Sequence, residues 1–340
     1  GSAFAGEITA SGDAGYTYSN EEVGVRTDDG YGFNHDITFS GSGELDNGFT
    51  VSTTMILVEG ATLSSSNVAL TMGGMGTITI GGGLGNVGGG FDAVTPFAYE
   101  ENHDGMATTT AIDSMGSLSD GNSVMYAAPA LELGGATVNI TAGYTPEAGD
   151  AVTGEGAVSA QSANYGSART LGVKVGVAGL TAGMFGEEVD DDTGQAVSGQ
   201  SRRDDAMSAT WFANYSFGPV SVGYQKAGLD HGINAAATAA TSAKTISTAG
   251  GFFESEMMSI AFNVNENLSI SYGELTETYN AQSHQTTEIA NVDMESDSIQ
   301  FAYTMGSMSI KGYQTDTDNP GWDSDADSNT ETEIAVNFAF

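Results

Sequence analysis

The chain has 340 residues, including 48 glycines, 5 prolines and no cysteine, and its 44 acidic residues against 8 lysines and arginines give a formal net charge of −36. Such a charge repels phosphate and excludes nucleic acid as a partner, whereas the lack of cysteine suits an oxidising compartment. No apolar run approaches the roughly 18 residues of a membrane-spanning helix, so helical membrane proteins are excluded as well.

Short stretches of alternating apolar and polar residues recur along the chain, the pattern of strands with one apolar and one polar face. The first two strands are predicted at about 6–18 and 31–44, joined by a loop that contains Glu21, Glu22, Asp28 and Asp29. Asn47 and Gly48 then predict a tight turn, because these residue types accept positive φ angles. Later strands are predicted around 49–59, 68–72, 78–80, 123–131, 137–144, 171–177, 180–186, 207–217, 220–224, 258–264, 268–272, 299–303, 308–310 and 330–340.

From Ile334 onwards, the last strand places only apolar residues on one side, and it ends on an aromatic residue. Because free termini usually fray, we expect this strand to pair with the first one in a closed sheet. Sixteen strands with seven short turns and eight longer loops predict an all-β fold, an antiparallel transmembrane β-barrel whose apolar side faces lipid. Near the short turns, an aromatic girdle is predicted from Tyr215, Phe217, Phe338 and Phe340.

The first five residues are expected to lie outside the folded domain. Gly1-Ser2 resembles the remnant of a tag, and Ala3-Phe4-Ala5 resembles the end of a cleaved secretory signal. The remaining residues, 6–340, are predicted to form a single transmembrane β-barrel domain of an exported protein.

Three features carry a resemblance to a known family: the stretch from Gly6 to Gly15, the long loop after the fifth strand and the terminal Phe340. With them, the chain resembles the sixteen-stranded general diffusion porins of Gram-negative bacteria, above all those of alphaproteobacteria. The resemblance implies a homotrimer in the cell outer membrane, in contact with lipid and lipopolysaccharide. It also implies that each barrel encloses a water-filled pore and that the long third loop folds inward.

The loop at about 86–121 corresponds by its order to that inward-folded loop, and loops of this length in compact proteins are usually functional or disordered. We expect it to form an acidic constriction of the pore, with a solvated external loop as the alternative. Its acidic residues are Asp92, Glu100, Glu101, Asp104, Asp113 and Asp120.

Cations opposite this loop are scarce. In related porins a cluster of arginines faces the loop carboxylates, but here no Lys or Arg occurs between Arg26 and Arg169. Arg26, Lys174 and Lys311 are the candidate cations of the pore wall, whereas Lys226 has the parity of the apolar side and is expected at a membrane interface. The imbalance predicts a cation-selective pore.

Acidic loops could also bind calcium, although acidic runs are usually only solvated. No other cofactor is expected. A second acidic run comprises Glu187, Glu188, Asp190, Asp191 and Asp192. The more oxygen-rich loop comprises Asp316, Asp318, Asp323, Asp325 and Asp327, without the spacing of an EF-hand.

The predicted function is passive diffusion of small hydrophilic solutes and cations. One alternative is a substrate-selective porin for a cationic or zwitterionic nutrient, and another is a plugged barrel with a structural or adhesive role. An enzyme is not expected, because the sequence has no H-E-x-x-H or G-x-S-x-G motif and its histidines are isolated: His35, His103, His231 and His284.

Overall fold

Antiparallel strands make up nearly all regular structure in the computed structural model, which describes residues 6, 8–24, 26–58, 62–82, 87–102, 104, 110–119, 122–146, 148, 165–191, 205–230, 232, 252–280 and 291–340. The strands are β1 Ile8–Val23, β2 Arg26–Glu44, β3 Thr50–Val58, β4 Thr62–Thr71, β5 Thr77–Gly82, β6 Asn122–Ala127, β7 Leu131–Leu133, β8 Ala136–Thr145, β9 Tyr165–Val177, β10 Leu180–Asp191, β11 Ala206–Phe217, β12 Val220–Asp230, β13 Phe252–Asn263, β14 Leu268–Asn280, β15 Val292–Met305, β16 Met308–Asp318 and β17 Asn329–Ala339. Within the described residues, four 3-10 turns accompany them, at Gly73–Met75, Gly88–Gly90, Ser117–Ser119 and Pro320–Trp322. None of the helical turns described is long and apolar enough to cross a membrane.

The sheet closes on itself. Apart from β6 and β7, each strand pairs with its neighbours in the chain, and β1 pairs with both β2 and β17, so that Tyr16 lies between Phe33 and Val336. Both β6 and β7 pair with β8 and are two parts of one barrel strand. The interruption at 128–130 contains Pro129, which has no N–H to donate. The structure thus confirms a sixteen-stranded antiparallel barrel.

Two local predictions are wrong. The predicted first loop is wrong, because β1 and β2 stay paired up to Val23 and Arg26, which are directly opposite each other. Glu21, Glu22, Asp28 and Asp29 therefore lie in strands. Similarly, the acidic run from Glu187 to Asp191 belongs to β10. In the sequence, these acidic residues suggested loops. They lie in strands because the part of a strand that extends beyond the apolar band can carry acidic side chains on both faces of the sheet.

The short turns lie where the sequence placed them, and their backbone shows why. Gly134 and Gly135 have φ angles of 62° and 93°, and Ala178 and Gly179 have φ angles of 47° and 84°. Two consecutive positive φ angles give a turn whose twist matches that of the flanking strands. Tyr215, Phe217 and Phe338 are exposed at this end of the barrel, on its outer face, as predicted.

Apolar side chains cover the outer face of the barrel and polar side chains its inner face, the reverse of a soluble protein. On the outer face, Phe33, Met184 and Ile299 are 71%, 68% and 63% exposed. On the inner face, Gln225 and Ser255 are completely buried. A continuous apolar exterior of this kind is suited to hydrocarbon and would be an aggregation hazard in water.

Candidate functional site

The segment between β5 and β6, described at 87–102, 104 and 110–119 and here named the crossing segment, lies against the inner face of the barrel. Its first anchor is Phe91, which is buried among inner-face residues of β10 and β11. The Phe91 ring centroid lies 5.5 Å from that of Phe185 and 6.1 Å from that of Phe212. The Gln225 amide of β12 holds the next residues, since it donates to the Phe91 carbonyl at 2.6 Å and accepts from the Val94 N–H at 2.7 Å.

From there the crossing segment passes over β13 to β16 and reaches β17. The Ala98 N–H donates to the Ser271 hydroxyl at 2.8 Å, and the Tyr99 N–H donates to the Gln300 side-chain oxygen at 3.0 Å. The Tyr99 hydroxyl then donates to Glu333 of β17 at 2.8 Å. Burial and this hydrogen bond raise the pKa of Tyr99, so its hydroxyl remains a donor.

The return path uses two buried carboxylates as anchors. Glu277 accepts the Ala111 N–H at 2.5 Å, and both oxygens of Glu187 accept backbone N–H groups, from Gly116 and Ser119, at 3.1 Å each. The hydroxyl of Ser208 also donates to Glu187, at 2.6 Å. These carboxylates accept hydrogen bonds from backbone N–H groups of the segment that would otherwise be buried without partners.

Glycines on the inner face make room for this close approach. A Cβ atom at Gly172 would lie 2.5 Å from the Phe91 ring, and one at Gly183 would lie 3.1 Å from the same ring. Gly223 and Gly273 provide the same space beneath Pro96 and Asn102. Sequence reasoning missed this row, although glycines at inward-facing positions of the strands are visible in the sequence.

Three of the predicted constriction residues come together at the far end of the crossing segment. Carboxylate oxygens of Glu100, Glu101 and Asp104 all lie within 4.8 Å of one another, and all three residues are partly buried. Burial and the neighbouring carboxylates Glu101 and Glu333 raise the pKa of Glu100, although a hydrogen bond with Asp104 and the charge of Lys311 oppose the shift. Asp92 and Asp113 lie elsewhere on the segment and outside this group, and Asp120 falls outside the described residues.

The nearby wall is acidic too. Glu21 of β1 lies directly opposite Glu331 of β17, and Ser19 lies opposite Glu333 and donates to it at 2.9 Å. On β1 and β2, Asp13 and Asp36 also face each other on the inner face. The tip of the crossing segment and the β17–β1–β2 wall therefore form one region dominated by negative charge.

Two of the three predicted wall cations have the predicted inward orientation. Lys311 places its ammonium 5.1 Å from the centre of the Tyr99 ring, and Lys174 places its own 4.7 Å from the centre of the Phe91 ring. The side chain of Arg26 lies outside the described part of the chain. Lys226 is on the outer face, as expected, where it pairs with Glu254 at 2.8 Å and Glu256 at 2.7 Å.

The residues expected to bind calcium are not gathered into one group within the described structure. Asp316 and Asp318 lie on the outer face of β16 and accept hydrogen bonds from Thr330 and Ser328. Asp323 accepts the backbone N–H of Asp325 at 2.9 Å. In the second run, Glu187 points inward and Glu188 outward, while Asp190 pairs with Arg169 at 3.2 Å and Asp192 lies outside the described residues. Calcium binding at either run stays a prediction.

Comparison with known proteins gives structural similarity without sequence similarity. No protein-family model matches the sequence, and no curated protein matches it. A porin refined at 1.8 Å resolution has a TM-score of 0.63 at 16% identity, with 98% of this chain and 100% of that chain covered. OprB of Pseudomonas putida has a TM-score of 0.63 at 8% identity, covering 98% and 94%. OmpT, an outer membrane protein of Vibrio cholerae, has a TM-score of 0.59 at 12% identity, covering both chains completely. The chain therefore has the fold of outer-membrane porins along its whole length.

Proposed function

We propose that this protein is a water-filled, cation-selective channel of the outer membrane through which small hydrophilic solutes diffuse passively. The observation that carries the proposal is the position of the crossing segment. It hydrogen-bonds to β8, β10–β15 and β17, and the polar inner face of β1–β5 lies across from it. A passage between the two would be lined by hydroxyl, amide and carboxylate groups, which hold water.

Cation selectivity is supported by the balance of inner-face charges. Glu100, Glu101 and Asp104 lie at the tip of the crossing segment, and Glu21, Glu331 and Glu333 line the adjacent wall. Lys311 is the nearby cation, and the stretch from residue 27 to 168 contributes no Lys or Arg to β2–β8. Fixed carboxylates without a matching cluster of arginines attract cations and repel anions.

A homotrimer, contacts with lipid and lipopolysaccharide, and membership of the alphaproteobacterial porin type are further parts of the proposal. One of the similar structures is a trimer form of OmpT. On the outer face of β1 and β2, Tyr16 lies 5.4 Å from Tyr31 and 5.1 Å from Phe33 between ring centroids. Such an aromatic patch would suit either lipid or a neighbouring subunit, and cross-linking in membranes distinguishes the two.

A plugged barrel is the second candidate, because one observation favours it. Near the loop end of β13 and β14, Trp322 packs inside the barrel against Phe253 and Tyr279, with centroid distances of 5.0 and 6.0 Å. This apolar cluster closes part of the cross-section. If it closed the rest as well, the protein would support the membrane without conducting.

Planar bilayers separate the two candidates. For the channel we expect stable, ohmic current steps from purified protein, together with swelling of protein-containing liposomes in a small neutral sugar. The variant Trp322→Ala removes the indole ring from this cluster. It should raise the conductance, which tests whether the cluster partly closes the pore. A folded protein that inserts but neither conducts nor admits sugar would contradict the channel and favour the plugged barrel.

A further inference from the structure

A cavity of about 300 Å³ lies on the inner face between the crossing segment and the wall formed by β5, β6, β8 and β9. Its polar lining consists of Lys174, Asn139, Thr141 and Thr79. Lys174 and Asn139 are directly opposite each other in the β8–β9 ladder, so their side chains leave the wall as neighbours. Lys174, Asn139 and Thr79 belong to the halves of their strands that adjoin the short turns, so the cavity lies toward the short-turn end of the barrel.

The ammonium of Lys174 is unusual in this acidic barrel. Its Nζ lies 4.7 Å from the centre of the Phe91 ring and 5.8 Å from that of Phe212. Among the described residues no carboxylate forms an ion pair with it, whereas Lys226 and Arg169 on the outer face are both paired. Aromatic faces attract a cation, but they leave its N–H donors available to an anionic ligand.

The rest of the lining limits what that ligand can be. Val87, Phe91 and Met125 give the cavity an apolar side, which suits a compact apolar body. A single ammonium balances one negative charge, and a dianion would be repelled by the carboxylates of the interior. A zwitterion meets all these conditions, because its carboxylate can reach Lys174 while its net charge is zero.

We propose that the cavity beside Lys174 is a binding subsite for the carboxylate of small zwitterionic, amino-acid-like solutes with an apolar side chain. This inference deepens the proposed channel function, on which its physiological role rests. The ammonium of Lys174 and the amide of Asn139 donate to the carboxylate, and the apolar body packs against Phe91 and Met125. A carboxylate gains more binding free energy from a charged donor than a neutral analogue does, because charge-assisted hydrogen bonds are roughly twice as strong as neutral ones.

Equilibrium binding of radiolabelled leucine to the purified, full-length protein in detergent tests the subsite without requiring conductance. Lys174→Met, which keeps an apolar side chain against Phe91, should weaken leucine binding at least about tenfold, the effect of losing one charge-assisted hydrogen bond. Lys174→Arg should retain binding. Lys226→Met, a change of the same type on the outer face, should leave binding unchanged.

Leucinol, which lacks the carboxylate, should fail to compete with leucine. Asn139→Leu provides a second variant that leaves Lys174 intact and should weaken binding less than Lys174→Met does. Equal leucine affinities of wild type and Lys174→Met, effective competition by leucinol, or no saturable binding to the folded wild type would each overturn the subsite. A protein that conducts ions without binding leucine refutes the subsite alone, and one that binds leucine through Lys174 without conducting refutes the channel alone.

Discussion

Glu187 and Glu188 are neighbours in the chain, yet their carboxylates occupy opposite environments. Glu187 is 3% exposed on the inner face and accepts hydrogen bonds from Gly116, Ser119 and Ser208, whereas Glu188 is exposed on the outer face. The alternation of side chains along β10 is the whole reason for the difference. Of the two carboxylates, that of Glu187 holds the crossing segment.

Replacing Glu187 by Ala should loosen the crossing segment while the barrel remains closed. The change leaves two buried N–H groups without their acceptor, which costs about 2 kcal/mol or more of unfolding free energy. Urea unfolding in detergent and limited proteolysis of the segment measure the two effects. Glu188→Ala is the matched control, and equal stability and protease resistance of the two variants would contradict an anchoring role.

Glu100 should control how ion selectivity depends on pH. Because burial and its acidic neighbours raise its pKa, Glu100 takes up a proton at a higher pH than an ordinary glutamate as the solution is acidified. Cation selectivity should therefore begin to fall while exposed carboxylates are still ionised. In reversal-potential measurements over a pH series, Glu100→Gln should remove this early phase, and an unchanged pH profile would show that Glu100 does not border the ion path.

At the scale of single residues, the sequence best predicts which face of its strand a side chain occupies. Lys174, Lys311 and Lys226 all have the predicted orientation, because the period of a strand leaves only two choices. Partners across the barrel, such as Glu187 with Gly116 or Tyr99 with Glu333, join residues that are distant in the chain. No local pattern specifies which inner-face residue a long loop will meet.

The crossing segment is the element on which the interior depends. It is fixed by backbone hydrogen bonds to Gln225, Gln300, Glu277 and Glu187, and by apolar contacts around Phe91. Its length and position between β5 and β6 could be predicted from the sequence. Its path could not, because that path depends on the space that glycines leave on β9, β10, β12 and β14.

The glycine row can be tested on a single strand. In β9, a Cβ atom at Gly172 would meet the Phe91 ring at 2.5 Å, whereas one at Gly176, on the same face, would meet nothing within 4 Å. Gly172→Ala should therefore push Phe91 away and destabilise the protein by about 1–3 kcal/mol, the usual cost of overpacking. Gly176→Ala should be neutral or slightly stabilising.

Urea unfolding and single-channel conductance report on these two variants together. A displaced Phe91 should change the conductance in Gly172→Ala and leave it unchanged in Gly176→Ala. If both alanines behaved alike, the crossing segment would not lie against β9 at this position.

The whole molecule is an inside-out barrel with a strong excess of negative charge. Its architecture could be predicted because closure, strand number and short turns all follow from alternation and turn residues that repeat along the chain. The first loop could not, because acidic residues at the β1–β2 hairpin resemble a solvated loop and yet continue the ladder. The scarcity of Lys and Arg predicts a negative interior, and that sign stays a prediction. The meeting of Glu100, Glu101 and Asp104 became visible only in the fold.

The reversal potential of the open channel in a KCl gradient tests the central claim most directly, since it requires a conducting pore and reports the sign of its interior charge. The wild type should approach the Nernst potential of K⁺, and the variant Glu100→Gln, Glu101→Gln, Asp104→Asn should shift toward zero, while the outer-face variant Glu188→Gln behaves as wild type. A wild-type potential of zero, or one directed toward that of Cl⁻, would contradict the account.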